Sequence, residues 1–178
     1  MQEIIMAGFG GQGVMSMGQL LAYAGMLEEK AVSWMPSYGP EMRGGTANCT
    51  VVITEEEQVG SPIVSDPTTL VAMNYPSVQK FKDAIQKDGI LLYNSSLIET
   101  EVTADGIHVY PIPANEIAVE LGNSRIANMV MLGALIELTK IVNIESVLES
   151  LKKVLPERRH NLIPLNEQAL RKGAELVN

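Results

Sequence analysis

Two short segments hold the residues best suited to chemistry: GFGGQG (8–13), with four glycines, and SYGPEMRGG (37–45), with one arginine. Gly8, Gly10 and Gly13 have the G-x-G-x-x-G spacing, and Gly11 adds a fourth glycine. An apolar run, Ile4 to Ala7, precedes them, and a helical apolar period follows. In that setting such a loop can offer backbone N–H groups and a helix N-terminus to a phosphate. A nicotinamide dinucleotide site also needs a carboxylate about 20 residues further on, at the end of the second strand. That region reads AVSWMP; Ser33, Trp34 and Met35 supply neither a carboxylate nor an arginine for a 2′-phosphate. No G-K-[ST] follows the glycines, which excludes a P-loop. The loop is therefore read as anion-receptive or subunit-facing, or else as a turn serving helix–sheet packing alone. Gly10 is expected to take a positive φ that a β-branched residue could not adopt.

In the second segment Pro40 and the glycines constrain the backbone, while Glu41 and Arg43 carry opposite charges. Arg43 is the only basic residue between Lys30 and Lys80. Its planar guanidinium suits bidentate recognition of a carboxylate or phosphate. Glu41 could orient it or reach a neighbouring subunit. The alternative is an exposed local ion pair worth little.

Little else in the chain could act chemically. Cys49 is the only cysteine, so this chain alone builds no internal disulfide, iron–sulfur cluster or cysteine-based zinc site. His108 lies in a strand pattern and His160 in PERRHN; both read as structural or solvent-exposed. The net charge of -8 disfavours nucleic acid and anionic membrane surfaces. Glu3 and the early glycines do not suit a signal peptide. The longest later apolar run, Met129 to Ile136, is far shorter than the roughly 20 residues of a membrane span. A cytoplasmic location is expected.

These residues must be positioned by a regular frame. Strands are expected over Gln2–Ala7, Ala31–Met35 (closed by Pro36), Thr46–Thr54, Thr69–Met73, Gly89–Tyr93 and Ile107–Ile112. Helices are expected over 11–27, 76–87, 125–140, from an Asn143 cap to Leu155, and roughly 165–176. The helix at 125–140 is apolar around most of its circumference, so it should be buried centrally or at an interface. Alternating strands and helices in 178 residues imply one domain, 1–178. The fold class is α/β: a Rossmann-like open, mainly parallel sheet with flanking helices and a helical C-terminal part. In such a sheet both loops lie at the carboxyl ends of strands, the edge where ligands and partners dock.

GFGGQG, then VMSMGQLLAYAG, then SYGPEMRGGTANCTVVI, with NMVMLGAL at 128–135, resemble the gamma subunit of 2-oxoacid:ferredoxin oxidoreductases. The resemblance covers essentially the whole chain, and S-Y-G-x-E-x-R-G-G is its most specific part. It implies oxidative decarboxylation of a 2-oxoacid with coenzyme A, giving an acyl-CoA and reduced ferredoxin. It implies alpha, beta and delta partners that carry thiamine diphosphate, magnesium and iron–sulfur clusters, and a gamma chain that is inactive alone. The length suits a separately encoded subunit and leans toward 2-oxoglutarate or a branched-chain 2-oxoacid, with pyruvate and indolepyruvate forms close behind.

The residues agree with a supporting role. No G-D-G followed by asparagine at thiamine-site spacing is present; KDGILLYN lacks the first glycine and the length. No catalytic residue, metal ligand or resident cofactor is assigned. The cofactor-binding or subunit-junction candidates are Gly8, Gly10, Gly11, Gly13, Ser37, Tyr38, Glu41, Arg43, Gly44 and Gly45, with CoA as a candidate contact. Methionines 15, 17, 35, 42, 129 and 131 could offer adaptable interface surface, or equally core. The alternative function is a free-standing Rossmann-like nucleotide-binding protein.

Overall fold

The first strand builds two cores at once. In β1 (Gln2–Phe9), Ile4 and Met6 are buried on one face of the sheet, and Ile5 and Ala7 on the other. That is the apolar run of a central strand covered on both sides. The computed structural model describes residues 1–37, 46–56, 58–59 and 61–178. After β1 come α1 (Val14–Leu27), β2 (Ala31–Ser37), β3 (Thr46–Thr54), β4 (Thr69–Ala72) and α2 (Tyr75–Phe81). They are followed by β5 (Ile90–Asn94), β6 (His108–Ile112), α3 (Ala114–Glu120), α4 (Ala127–Thr139), α5 (Ile144–Val154) and α6 (Ile163–Glu175).

The six strands form one sheet in the order β2-β3-β1-β4-β5-β6. Strands β1, β4, β5 and β6 are mutually parallel, whereas β3 runs antiparallel to both β1 and β2. The sheet is thus mixed, with three parallel pairings and two antiparallel ones. Since β1 and β2 both oppose β3, they run the same way. Their carboxyl ends therefore lie at one edge of the sheet, the edge that carries the glycine loop and Ser37.

All six expected strands form. The expectation that Pro36 closes β2 is corrected: the strand continues through it to Ser37, with Pro36 opposite Cys49. β2 is an edge strand, and an edge tolerates a residue that cannot donate on its open side. The helix expected from Pro76 to Lys87 stops at Phe81 and tightens into a 3₁₀ turn over Lys82–Ala84. Its start is capped by Asn74, whose Oδ1 accepts from Ser77 N at 2.9 Å. Asn143 stands at the α5 N-cap but makes no cap bond with its side chain. Its N–H and Nδ2 instead donate to Glu28 Oε1, at 2.6 and 3.1 Å.

The larger core lies between one sheet face and α1, α4, α5 and α6. In α1, Gly18 and Gly25 let the helix settle onto β2 and β3; side chains there would meet the Cys49 Sγ and Val32. Helix α4 is buried from Ala127 through Ile136, as its apolar circumference predicts. It lies against α6, where a Cβ on Gly133 would stand 1.9 Å from the Leu170 carbonyl oxygen. A Cβ on Gly173 would stand 1.9 Å from the Val130 carbonyl oxygen. The two backbones touch at reciprocal glycines. Met17, Met129 and Met131 are core residues, and Met35 is 40% exposed. Among the described residues no helix is long and apolar enough to cross a membrane.

Candidate functional site at the carboxyl edge of the sheet

β1 delivers the chain into a turn closed by Gln12 N donating to Phe9 O at 3.2 Å. Gly11 (φ 91) and Gly13 (φ 77) adopt left-handed backbone. Gly13 is also the N-cap of α1. A Cβ there would lie 2.4 Å from Asn128 Nδ2, which itself donates to the Gly13 carbonyl at 3.4 Å. Glycine is thus required at 13 twice over, by conformation and by space.

The expectation for Gly10 is corrected. Its φ is not positive, and a Cβ there would meet nothing within 4 Å. The tight position is Gly8, where a Cβ would lie 2.7 Å from Gln12 Oε1, 2.8 Å from Met73 Cβ and 2.9 Å from Val14 Cγ2.

Gln12 organises the loop and was not singled out from the sequence. Its Oε1 accepts from Phe9 N at 2.6 Å and from Asn74 Nδ2 at 3.4 Å, and its Nε2 donates to Met73 O at 3.3 Å. The amide thereby ties the glycine turn to the end of β4. The signal was available: Gln12 is the only hydrogen-bonding side chain in GFGGQG.

With its β4 side closed by Gln12, the loop opens toward the start of β3. A depression of about 280 Å³ lies there, lined by Phe9, Gly10, Gly13, Met15, Ser16 and Ala47. Met17 N donates to Gly13 O at 3.0 Å, and that bond begins the helix. The N–H groups of Val14, Met15 and Ser16 therefore have no intrahelical partner. Depression and donors together suit an anionic group.

The end of β2 and the start of β3, which flank the second segment, lie at the same edge. Ser37 ends β2, exposed, opposite Asn48, and Thr46 begins β3 opposite Phe9. Tyr38, Glu41, Arg43, Gly44 and Gly45 lie outside the described residues. The strand beside β1 on this side is β3, not β2, and it presents its start rather than its end. β4 is the one parallel strand beside β1; on the other side antiparallel β3 takes the place of the parallel strand whose end would carry a ribose-binding carboxylate.

Among the described residues no cluster of redox-active or metal-binding groups gathers at this edge. Cys49 is fully buried, and its Sγ donates to Val14 O at 3.6 Å. Burial pushes its thiol up to about 11, against weaker opposing hydrogen bonds from Trp34 and Gly18. Among the described residues no group of three or more His, Cys, Asp or Glu could hold a metal ion. His108 lies at the start of β6, across the sheet from the glycine loop, and a ring nitrogen of His160 sits 2.9 Å from Leu155 O.

Residues 3–176 match the model of the pyruvate ferredoxin/flavodoxin oxidoreductase family. The ketoisovalerate oxidoreductase subunit VorA of Methanothermobacter thermautotrophicus is 43% identical over 97% of this chain. The match covers 36% of that protein, so the chain spans about a third of this relative's length. A keto/oxoacid ferredoxin oxidoreductase gamma subunit from Geobacter sulfurreducens superposes with a TM-score of 0.84 at 27% identity. The superposition covers 99% of this chain and 98% of that one. A 2-oxoglutarate:ferredoxin oxidoreductase from Magnetococcus marinus, solved with 2-oxoglutarate, coenzyme A and succinyl-CoA bound, superposes with a TM-score of 0.88 at 28% identity. That match covers 99% of this chain and 31% of the other.

Proposed function

The chain belongs to the pyruvate ferredoxin/flavodoxin oxidoreductase family, and from that premise we propose that it serves as the gamma subunit of a 2-oxoacid:ferredoxin oxidoreductase. The observation that carries this reading is the end-to-end likeness to a solved gamma subunit, 99% of one chain on 98% of the other. The complex converts a 2-oxoacid and CoA to an acyl-CoA, carbon dioxide and reduced ferredoxin. Its 2-oxoacid is 2-oxoglutarate or a branched-chain acid. Support for that pair is the naming of one relative for ketoisovalerate and the 2-oxoglutarate bound in one solved structure.

The role of this chain is assembly and the lining of a junction with alpha, beta and delta partners, in the cytoplasm. Thiamine diphosphate, magnesium and the iron–sulfur clusters belong to those partners. The residues here do not fit them, since the one thiol is buried and no metal-binding group is found among the described residues. Electron transfer and carbanion chemistry take place elsewhere in the complex.

CoA is a better fit to this edge, and when bound it supplies the thiol that accepts the acyl group. The N–H groups of Val14, Met15 and Ser16 would face one of its phosphates across the depression beside Ala47. Gly11 and Gly13 hold those donors in place through their left-handed turn. Ser37, Tyr38, Glu41, Arg43, Gly44 and Gly45 would add further contacts, with Arg43 supplying a bidentate anion contact.

Replacing Arg43 tests this reading. In the Arg43→Ala chain, thermal unfolding of the isolated protein is expected to be unchanged. Assembly or CoA-dependent turnover of the complex is expected to fall. A complex of normal composition and turnover would remove Arg43 from the site.

A further inference from the structure

Behind the first turn of α1 lies a second cleft, of about 330 Å³, bounded by the entry to α4, the end of α5 and the start of α6. It meets the glycine-loop depression at Ser16, which lines both. Its walls are apolar, with Leu20, Met129, Leu151 and Leu155 prominent among them. Its rim carries Arg125 and Arg159, and no Asp or Glu lines it.

In a chain with 21 acidic and 13 basic residues, two arginines at one cleft without a carboxylate stand out. Neither guanidinium is ion-paired among the described residues. The basic groups that do form pairs, such as Lys30 and Arg171, lie elsewhere. The neutral polar residues on the rim add donors. Asn123 uses its Oδ1 to accept from Arg125 N at 3.0 Å, which leaves its Nδ2 to donate. Asn166 donates to Leu162 O at 2.8 Å, and its Nδ2 carries a second hydrogen. The cleft also adjoins the first turn of α4, the positive end of that helix.

A volume of a few hundred Å³, apolar walls and a few convergent polar groups are the features of a small-molecule site. We propose that this cleft binds an amphiphilic anion, a carboxylate or phosphate head carrying a short aliphatic chain. Arg125 and Arg159 take the head, and Met129, Leu151 and Leu155 take the chain. The inference uses only the cleft and does not depend on the family reading.

The test uses the full chain in calorimetry and thermal unfolding, with octanoate and hexyl phosphate as probes. Both are expected to bind and to raise the melting temperature, because a ligand of the folded state alone stabilises it. The tighter of the two identifies the head group. Acetate, inorganic phosphate and octylamine are expected to bind at least about tenfold more weakly. Arg125→Gln and Arg159→Gln are each expected to weaken binding about tenfold while leaving the unliganded melting temperature unchanged. Absence of binding by both probes would overturn the proposal. So would equal binding of octylamine, or affinity unchanged in both arginine variants. Retention of an acidic peptide while both probes fail would also overturn it.

Discussion

Gln12 lies directly over Gly8: its Oε1 is 2.7 Å from where a Gly8 side chain would begin, and its Nε2 reaches the Met73 carbonyl at 3.3 Å. The glycine spacing of a dinucleotide loop is therefore used to admit the protein's own amide. The turn is pinned to β4 from within, and only its β3 side stays open.

This geometry separates two glycines that the motif treats alike. Gly8→Ala should destabilise by about 1–3 kcal/mol, because the new methyl meets Gln12, Met73 and Val14 inside 3 Å. Gly10→Ala should stay within about 0.5 kcal/mol of the parent, with open space and no positive φ. Chemical denaturation of the two variants decides it. Equal losses would refute the assigned turn.

The α4–α6 crossing makes a sharper demand. Gly133→Ala and Gly173→Ala each drive a methyl into a main-chain carbonyl 1.9 Å away, and neither carbonyl is the movable end of a side chain. Each should cost about 3 kcal/mol or more. Because both changes push the same two helices apart, the double variant should lose less than the sum. Additive or small losses in denaturant titrations would show that the helices do not meet at these glycines.

Glu28 predicts an acid response. Burial alone would favour its protonated form, but hydrogen bonds from Asn143 and Ser146 (2.7 Å), together with Lys30 at 3.3 Å, hold the carboxyl below its ordinary value of 4.5. A carboxyl whose pKa is lowered on folding contributes fully above its unfolded value and loses that contribution as pH falls through the folded one. Melting temperature should therefore drop as pH falls below about 4.5, and Glu28→Gln should flatten that part of the curve. Glu28→Ala, which strips an acceptor from several donors, should cost about 2 kcal/mol at neutral pH. Parallel curves for wild type and Glu28→Gln would rule this network out as a source of acid sensitivity.

Cys49 should be silent in the folded chain. A fully buried thiol pushed up to about 11 supplies almost no thiolate at pH 8. Alkylation at that pH should proceed only as fast as the chain opens, and should become rapid in denaturant. Fast labelling without denaturant would contradict the burial of β3 against α1.

Much of this frame was legible in the residues. Apolar runs between glycines and prolines located all six strands, and the unbroken apolar circumference of 125–140 foretold the burial of α4. What escaped depends on neighbours distant in sequence. Pro36 reads as a stop until β2 is known to be an edge. Gly10 and Gly8 are indistinguishable until Gln12 and Met73 are in place. The antiparallel insertion of β3 beside β1, which removes the setting for a ribose-binding carboxylate, has no local signal. Asn143 looks like a helix cap because its partner, Glu28, is 115 residues away.

The proposed role is that of a non-catalytic gamma subunit whose carboxyl sheet edge completes a 2-oxoacid:ferredoxin oxidoreductase. The most direct measurement is CoA- and 2-oxoacid-dependent reduction of ferredoxin by a complex purified through a tag on this chain. It is set beside the partner subunits assembled without the chain. Activity is expected to travel with the tag, turnover to be lost when the chain is omitted, and NAD to leave the melting temperature of the chain alone unshifted. The chain eluting by itself while its partners assemble and turn over at the full rate would contradict it.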